Sequence, residues 1–272
     1  MTATSSKNLE PRVLARRFEN AQAEQTDRTP SPNRGGVPSL RVAGGRAIFF
    51  GPRSPDSVAM GVGLEGPVTA EDLDRIEAHL GQGGGAVRIE LNPFCDPSLS
   101  MGLAARGYRV EQFLHVWWQQ LSPEPPQLPP GVEVRPIHPD EERIWARLFF
   151  FSYAGWPAMS ETDLAPGLGI IRTEGNTCFL VLVDGEPQAV GVVSQTDGVA
   201  VLSGDGVPWP FRGKGIQLPS IQARLAWAAQ HGCEMMCATT EAMTASARHC
   251  EKMGLRCAYP KIIMAREPAT WT

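Results

Sequence analysis

The sequence predicts an α/β (α+β) fold of two similar domains in tandem, each with a sheet flanked by helices. The chain has 272 residues, enough for two cores of ordinary size. In both halves, short β-branched runs alternate with segments of helical periodicity. Between the halves lies LSPEPPQLPPG, residues 121–131, whose prolines favour an extended spacer over a helix or an interior strand.

This spacer sets the expected domain boundaries. The N-terminal segment has the pattern of an amphipathic helix from Leu9 to Ala23, followed by TDRTPSPNRGGVPS, a loop that we expect to be mobile or draped over a neighbour. The four expected segments are the N-terminal helix and loop (1–44), a first domain (45–121), the linker (122–131) and a second domain (132–268).

In the first domain, RAIFF and SVAMGVGL are typical of strands. Thr69 and Asp72 have the spacing of a capping box, which predicts the start of a helix there. AVRIEL then predicts a strand, PSLSMGLAA a helix, and YRVEQFLHVWW either a strand pair or one long strand.

The second domain begins with a strand, GVEVRPI, and a helix, EERIWARLFF. TCFLVLV and QAVGVVSQ then predict a hairpin around the turn residues Asp184 and Gly185. The remaining elements are the strand VAVLSGDGV, the helix GIQLPSIQARLAWAAQ, the strand EMMCATT, the helix ASARHCEKM and the terminal strand structure LRCAYPKIIMA.

The two halves share a local pattern around Gly107 and Gly254. LAARGYRVEQF and CEKMGLRCAYP each contain a helix end, a glycine at the left-handed cap position, an apolar residue, an arginine and a strand. The preceding interval contains helix, strand and helix in both halves. A divergent duplication explains this pattern, although any two α/β domains can share such a run.

Composition and charge exclude several functional classes. Hydrophobic residues make up 42% and charged residues 20% of the chain, as in ordinary globular proteins. With a net charge of -4 and no Lys/Arg-rich run, we expect neither a nucleic-acid nor a membrane partner. The first residues lack the apolar core of a signal peptide, and no segment approaches the length of a membrane span, so we expect a cytoplasmic protein.

The cysteines do not indicate a disulfide framework or a metal site. All six are scattered, and most lie within apolar runs, as reduced core cysteines do. We expect no metal, because no C-x-x-C or H-x-x-x-H spacing occurs among the residues that would form a cluster, namely His231, Cys233, Cys237, His249 and Cys250.

The stretch WPFRGKGIQLPS joins a predicted strand to a predicted helix through two glycines and two cations. This is an anion-binding arrangement, because the first turn of a helix exposes unpaired N–H groups and a partial positive charge. It is not a Walker A loop, since Lys214 is followed by Gly215. Nor is it a dinucleotide G-x-G-x-x-G loop, since Leu218 stands at the third glycine position.

The stretch from Arg212 to Gln217 fits R-x-x-G-x-[G/A], and here the sequence resembles the GNAT superfamily of N-acetyltransferases. The later segment S-x-x-x-C-E-K-M-G-L is similar to the family's S-x-x-x-Y-E-K-x-G-F, and the element order agrees over about residues 131–268. Two positions depart from the pattern. Gln217 stands where Gly or Ala is usual, and Cys250 replaces the tyrosine that serves many members as general acid.

The resemblance implies a mixed, mainly antiparallel sheet and an acetyl group moved from acetyl-CoA to an amine by direct attack on the thioester. It places the diphosphate on the backbone N–H groups of residues 213–217, with Arg212 and Lys214 as counter-charges. The implied cofactor-binding residues are Val207, Arg212, Gly213, Lys214, Gly215, Ile216, Gln217 and Ser246. Val207 also maps to the N–H that stabilises the oxyanion, and Ser246 caps its helix or touches the cofactor.

Proton transfer leaves several candidates. Asp205, at the end of the predicted strand, is the first candidate base and would accept the proton directly or through water; the alternative is a purely structural loop residue. Glu241 is the second candidate base. Cys250 is a weak donor or a packing residue. Beyond the aromatic helix, Tyr153 and Trp156 are the candidates for the pocket that receives a small-molecule or peptide amine.

The first domain has a different helix start. LEGPVTAEDL places Glu65, Glu71 and Asp72 where the second domain has cations, and carboxylates there repel a diphosphate. We therefore expect a degenerate GNAT-like domain that acts as a scaffold. The alternative function is a catalytically idle acyl-CoA-binding sensor or interaction module, which the loss of the tyrosine at Cys250 favours. A homodimer remains open, because both domains expose sheet edges.

Overall fold

The computed structural model describes residues 10–31 and 34–268, which form one sheet and seven helices. The helices are α1 (Pro11–Arg28), α2 (Ala70–Leu80), α3 (Pro97–Ala105), α4 (Glu142–Ala154), α5 (Glu161–Ile171), α6 (Gln217–Gln230) and α7 (Ala245–Lys252). The strands are β1 (Leu40–Val42), β2 (Gly45–Ile48), β3 (Val58–Met60), β4 (Val87–Leu91), β5 (Arg109–Gln120), β6 (Val132–Pro136), β7 (Asn176–Val183), β8 (Glu186–Thr196), β9 (Val199–Gly206), β10 (Met235–Glu241) and β11 (Arg256–Arg266). None of the described helices combines the length and the apolar character that crossing a membrane requires.

All eleven strands belong to one sheet, in the order β1-β2-β3-β4-β11-β5-β10-β9-β8-β7-β6. Neighbouring strands are antiparallel except for two parallel pairs, β3 with β4 and β9 with β10. The sheet is therefore mixed and mainly antiparallel, as predicted.

The two halves exchange their last strands. β11, from the second half, lies between β4 and β5 of the first half, and pairs with both. β5, in turn, lies between β11 and β10. The two halves predicted from the repeat around Gly107 and Gly254 are thus joined through the sheet itself. Both glycines have the positive φ that this repeat predicts, 76° and 72°.

Helices cover both faces of the sheet. Trp117 packs in the cluster formed by α6 and α7, whereas the adjacent Val116 packs against α1, so these helices lie on opposite faces. The same alternation separates Phe179, under α6, from Leu180, under α4 and α5. In the first half, the apolar sides of α2 and α3 cover β2 and β4 on the face away from α1.

The helix α1 spans both halves. Leu14 and Phe18 pack on β5, β9 and β10, while Ala23 packs against Ile48 of β2. The helix that the sequence predicts from Leu9 to Ala23 continues to Arg28, and Leu9 lies outside the described residues. The loop that follows is partly described, and there Arg34 and Ser39 bond to Asp27, near the end of α1.

A buried charged cluster ties α1 to the exchanged strand. Lys261 of β11 lies 3.1 Å from Glu19 of α1 and 2.6 Å from Glu90 of β4, and it is wholly buried. Tyr259 donates a hydrogen bond to the same Glu19 carboxylate at 2.8 Å. Asn92, beyond β4, donates to it at 3.2 Å. Ions in an apolar interior are stable only when they are paired and hydrogen-bonded, and here one ammonium group faces two carboxylates.

Two elements were missed in the sequence. α5 contains Pro166 and two glycines, which disfavour a helix, but the Ser160–Asp163 capping box starts it. A Cβ at Gly167 would lie 2.9 Å from the Cα of Ala146, so this glycine allows α4 and α5 to pack closely. The second missed element is β1, which follows the predicted loop within the segment 1–44 and is ordered by its pairing with β2.

Candidate functional site

The site lies where β9 and β10 separate. These strands pair only over three residues, from Val199 to Val201 on β9, and their remaining lengths diverge. At Gly204 and Asp205, β9 bulges opposite Gly191 of β8, and Gly204 has a φ of 62°. The bulge turns the end of β9 towards α6 and α7.

Two adjoining cavities occupy this region. The larger one, of about 750 Å³, runs from the tip of β9 along the start of α6 to α7. The smaller one, of about 180 Å³, lies between the separated strands. The predicted residues that line the larger cleft are Tyr153, Asp205, Val207, Arg212, Gly213, Gly215, Ile216, Gln217 and Ser246.

The loop before α6 leaves its main-chain N–H groups free. Gly213 and Gly215 have φ values of 78° and 74°, and a Cβ on either would meet no atom within 4 Å. Within the described chain, no hydrogen bond to a protein acceptor is made by the N–H groups of residues 213–216. α6 begins at Gln217 without a side-chain cap. The loop therefore offers a ligand several donors and the positive end of a helix dipole.

In the first half, the corresponding helix start, that of α2, is capped by its own side chains. At α2, the Thr69 side chain accepts from the Asp72 N–H at 3.1 Å, and the Asp72 carboxylate accepts from the Thr69 N–H at 3.0 Å. These bonds lower the pKa of Asp72, so that its negative charge is retained. An anion at this end of α2 would have to displace the cap and approach a carboxylate.

The two loop cations have different surroundings. Arg212 donates from Nε to the Val207 carbonyl at 2.9 Å and from a terminal nitrogen to the Ser152 carbonyl at 3.2 Å. It thus connects the loop to the tip of β9 and to α4. Lys214 is not part of the cleft wall: its Nζ lies 5.1 Å from the ring centre of Phe211 and 3.4 Å from Gln188.

Asp205 is paired with a buried arginine. Arg224 of α6 is fully buried, and its guanidinium contacts the Asp205 carboxylate and donates to the Val192 carbonyl at 3.1 Å. Burial raises the pKa of Asp205 above its ordinary value, and the attraction of Arg224 opposes that rise. A Cβ at Gly191 would lie 2.5 Å from the guanidinium carbon, so only glycine leaves room for it.

Aromatic residues border one side of the cleft. The Tyr153 hydroxyl donates to the Asp205 carbonyl at 3.1 Å, and its ring packs against Phe149 with 4.8 Å between centres. Trp156 does not line the cleft. It is 59% exposed and packs edge-on against Phe150.

The remaining predicted residues lie around α7. Glu241 is exposed and lines neither cavity; its carbonyl accepts a hydrogen bond from Thr244. Cys250 is buried in the wall of the smaller cavity. Burial and, second, the nearby Asp205 charge raise the pKa of the Cys250 thiol to about 11, which makes it a poor proton donor near neutral pH.

Three site residues were missed in the sequence. Arg224 stands on the apolar face of its helix, next to Leu225, and a cation at such a position is a readable sign of a buried partner. His249 and Lys252 line the larger cleft beside Ser246. In the sequence, His249 stands out only as one of the residues whose spacing does not match a metal site.

Comparison with known proteins shows a likeness in structure. No family model and no curated protein matches the sequence. A GCN5-related N-acetyltransferase from Kribbella flavida superposes with a TM-score of 0.66 at 17% identity, over 94% of this chain and 96% of that one.

Two further solved structures are similar to this chain in fold. A tandem GNAT protein from the clavulanic acid biosynthesis pathway gives a TM-score of 0.60 at 16% identity, covering 93% of this chain and 89% of its own. A GCN5-related N-acetyltransferase from Sphaerobacter thermophilus gives 0.54 at 20% identity, covering 72% and 64%. From β1 to β11, this chain therefore has the fold of the GCN5-related N-acetyltransferases in its tandem form.

Proposed function

We propose that this protein is an N-acetyltransferase that binds acetyl-CoA in the cleft beside α6 and transfers its acetyl group to an amine. The observation that carries the proposal is the set of free N–H groups at residues 213–216, which open into a cavity of about 750 Å³. Oriented amides at a helix start bind phosphate groups well. The residues present therefore fit the diphosphate of coenzyme A.

The tip of β9 is the proposed reacting end. The Val207 N–H bonds to no protein acceptor in the described chain, and the Val207 carbonyl is held by Arg212. A fixed, unpaired donor of this kind stabilises negative charge on the oxygen of an attacked thioester. The opening between β9 and β10 leaves room for an extended pantetheine arm beside the strand.

The acceptor is proposed to be a small-molecule or peptide amine that enters near Tyr153 and Asp205. At pH 7, a lysine-like amine must lose a proton at a cost of about 4.6 kcal/mol, so the site needs a proton acceptor or desolvation. Asp205 lies beside the proposed entry and its negative charge attracts an ammonium group. Arg224 already engages this carboxylate, which makes it less available as a proton acceptor. We therefore assign Asp205 first to binding the amine.

The first half is proposed to be a scaffold. The Thr69–Asp72 capping box occupies two N–H groups at the start of α2 and places a carboxylate there, so this helix start does not suit a diphosphate. The contribution of the first half is β4 and β5, which hold β11 and thereby position α7 next to the cleft.

An idle acyl-CoA-binding module is the second candidate. The pKa of the Cys250 thiol, raised to about 11, favours it, because the departing thiolate has an ordinary pKa of about 8.5 and is the weaker base. A thiolate of that pKa leaves without protonation, however, so the loss of the tyrosine is compatible with turnover.

The test combines binding with turnover. Calorimetry with acetyl-CoA should show one site per chain, and release of free thiol should be measured over a panel of amines. Gly215→Ala should abolish binding, because its methyl group enters the space left for the phosphates. Gly185→Ala is the matched control, since Gly185 has a φ of 84° and open surroundings but lies in the β7–β8 turn.

Equal acetyl-CoA affinity in these two glycine variants would refute the proposed binding site. One binding site without thiol release on any amine would favour the idle module.

A further inference from the structure

His249 belongs to both cavities of the site. It is on α7, and its side chain lines the 750 Å³ cleft and also the 180 Å³ cavity between β9 and β10. Tyr153, Asp205, Gln217 and Ser246 also line both cavities. The two cavities therefore meet at the end of β9 and the start of α7.

One nitrogen of this imidazole has no partner. His249 Nδ1 is buried and makes no hydrogen bond to any described protein group. Leaving a buried polar atom unpaired is unfavourable, so this nitrogen calls for a partner such as a ligand group or a water molecule. His249 also acts electrostatically on Asp205, which places it near the residue assigned to the acceptor amine.

The other candidates are less well placed for proton transfer. Asp205 is engaged by Arg224, and Glu241 lies outside both cavities. Burial raises the pKa of Cys250 to about 11. An imidazole both accepts and donates a proton near neutral pH, and it is the commonest general base in enzymes.

We infer that His249 is the proton-transfer residue of this site: its imidazole accepts the proton that the amine releases on attack and returns it to the sulfur of coenzyme A. The inference rests on the proposed acetyl transfer. The amine nitrogen forms a bond to the acetyl carbon, the carbon–sulfur bond breaks with its electron pair remaining on sulfur, and one proton moves from nitrogen through His249 to sulfur. The products are an amide and a thiol.

The test uses the full chain and the best amine from the panel. His249→Gln should lower kcat by about 100-fold or more, the usual effect of losing a general acid–base group, with acetyl-CoA affinity changed less than about threefold. Glu251→Gln is the matched control, because Glu251 is an exposed neighbour on the same helix and should leave kcat unchanged. Added imidazole should restore part of the rate in His249→Ala, an effect that a structural role would not produce.

A second measurement needs no turnover. The imidazole NMR signal that disappears in His249→Gln should shift when coenzyme A, which carries no acetyl group, is added to the wild-type protein. An unchanged signal, or a kcat in His249→Gln within threefold of wild type, would overturn the assignment of His249 while the acetyl transfer itself stands. If the wild-type protein turns over no amine, both proposals are wrong.

Discussion

Arg224 and Asp205 form an ion pair that holds the bulge of β9 against α6. The arginine is completely buried, whereas 28% of the aspartate side chain remains exposed towards the cleft. The pair thus links the interior of the second half to the wall of the proposed active site. Substitutions of the buried arginine are therefore expected to lower the free energy of unfolding and to displace Asp205 in the cleft wall.

Removal of the arginine should be strongly destabilising. Arg224→Met leaves Asp205 without its counter-charge, and breaking a buried pair in this way costs about 3 kcal/mol or more. The free energy of unfolding in urea measures the loss. Arg172→Met is the control, because that side chain is 68% exposed and its nearest carboxylate is 3.9 Å away. Similar losses in the two variants would contradict a structural role for the Arg224 pair.

Gly191 should tolerate no side chain. Gly191→Ala places a methyl group against the guanidinium of Arg224, and we expect overpacking to cost about 1–3 kcal/mol. Thermal unfolding would measure this cost. In Gly66→Ala, where the added Cβ meets nothing within 4 Å, the midpoint should hardly change. A Gly191→Ala variant as stable as the wild type would show that the Arg224 side chain can move aside without cost.

Stability should depend on pH through Glu90. Burial raises the pKa of Glu90 from 4.5 to about 7, against the attraction of Lys261. A raised pKa in the folded state stabilises the protein below the unfolded value, and this contribution is lost as the pH rises through the folded value.

Unfolding of the wild-type protein should therefore become easier between pH 4.5 and about 7, relative to Glu90→Gln, which cannot titrate there. Urea unfolding at a series of pH values gives the comparison. Glu174→Gln, in an exposed turn, should follow the wild type. Parallel curves for the wild type and Glu90→Gln would show that Glu90 is ionised throughout.

Arg212 should contribute to binding more than to folding. Arg212→Gln removes a charge next to the proposed diphosphate site and the bonds to the Val207 and Ser152 carbonyls. We expect acetyl-CoA to bind about tenfold more weakly, which corresponds to about 1.4 kcal/mol, because the variant loses both the charge and the bonds that hold the loop in place. Calorimetry measures the affinity, and Arg248→Gln, an exposed change on α7, should leave it unaltered. An unchanged affinity in Arg212→Gln would remove this residue from the site.

Local signals in the sequence predicted most elements and the loop. The helix that follows Ile216 and the Asp184–Gly185 turn were predicted because each depends on residues close together in the chain. Such signals do not specify strand order. β5 and β11 have partners far away in sequence, and no pattern within either strand distinguishes exchange from pairing within its own half.

Only part of the candidate site could be proposed from the sequence, because only part of it depends on residues close together in the chain. The glycines of the loop are visible in the sequence, and glycine there indicates a backbone conformation with positive φ. The pairing of Arg224 with Asp205 and the position of His249 depend on how α6 and α7 pack on the sheet, which the sequence does not display.

The exchange of β5 and β11 has a consequence for synthesis. A ribosome releases the first half long before residues 256–266 emerge, and until then β4 has an open edge where β11 will pair. The nascent chain must keep that edge free of other strands, including those of its neighbours on the same message. Maturation of both halves thus ends in a single late event, the docking of one strand.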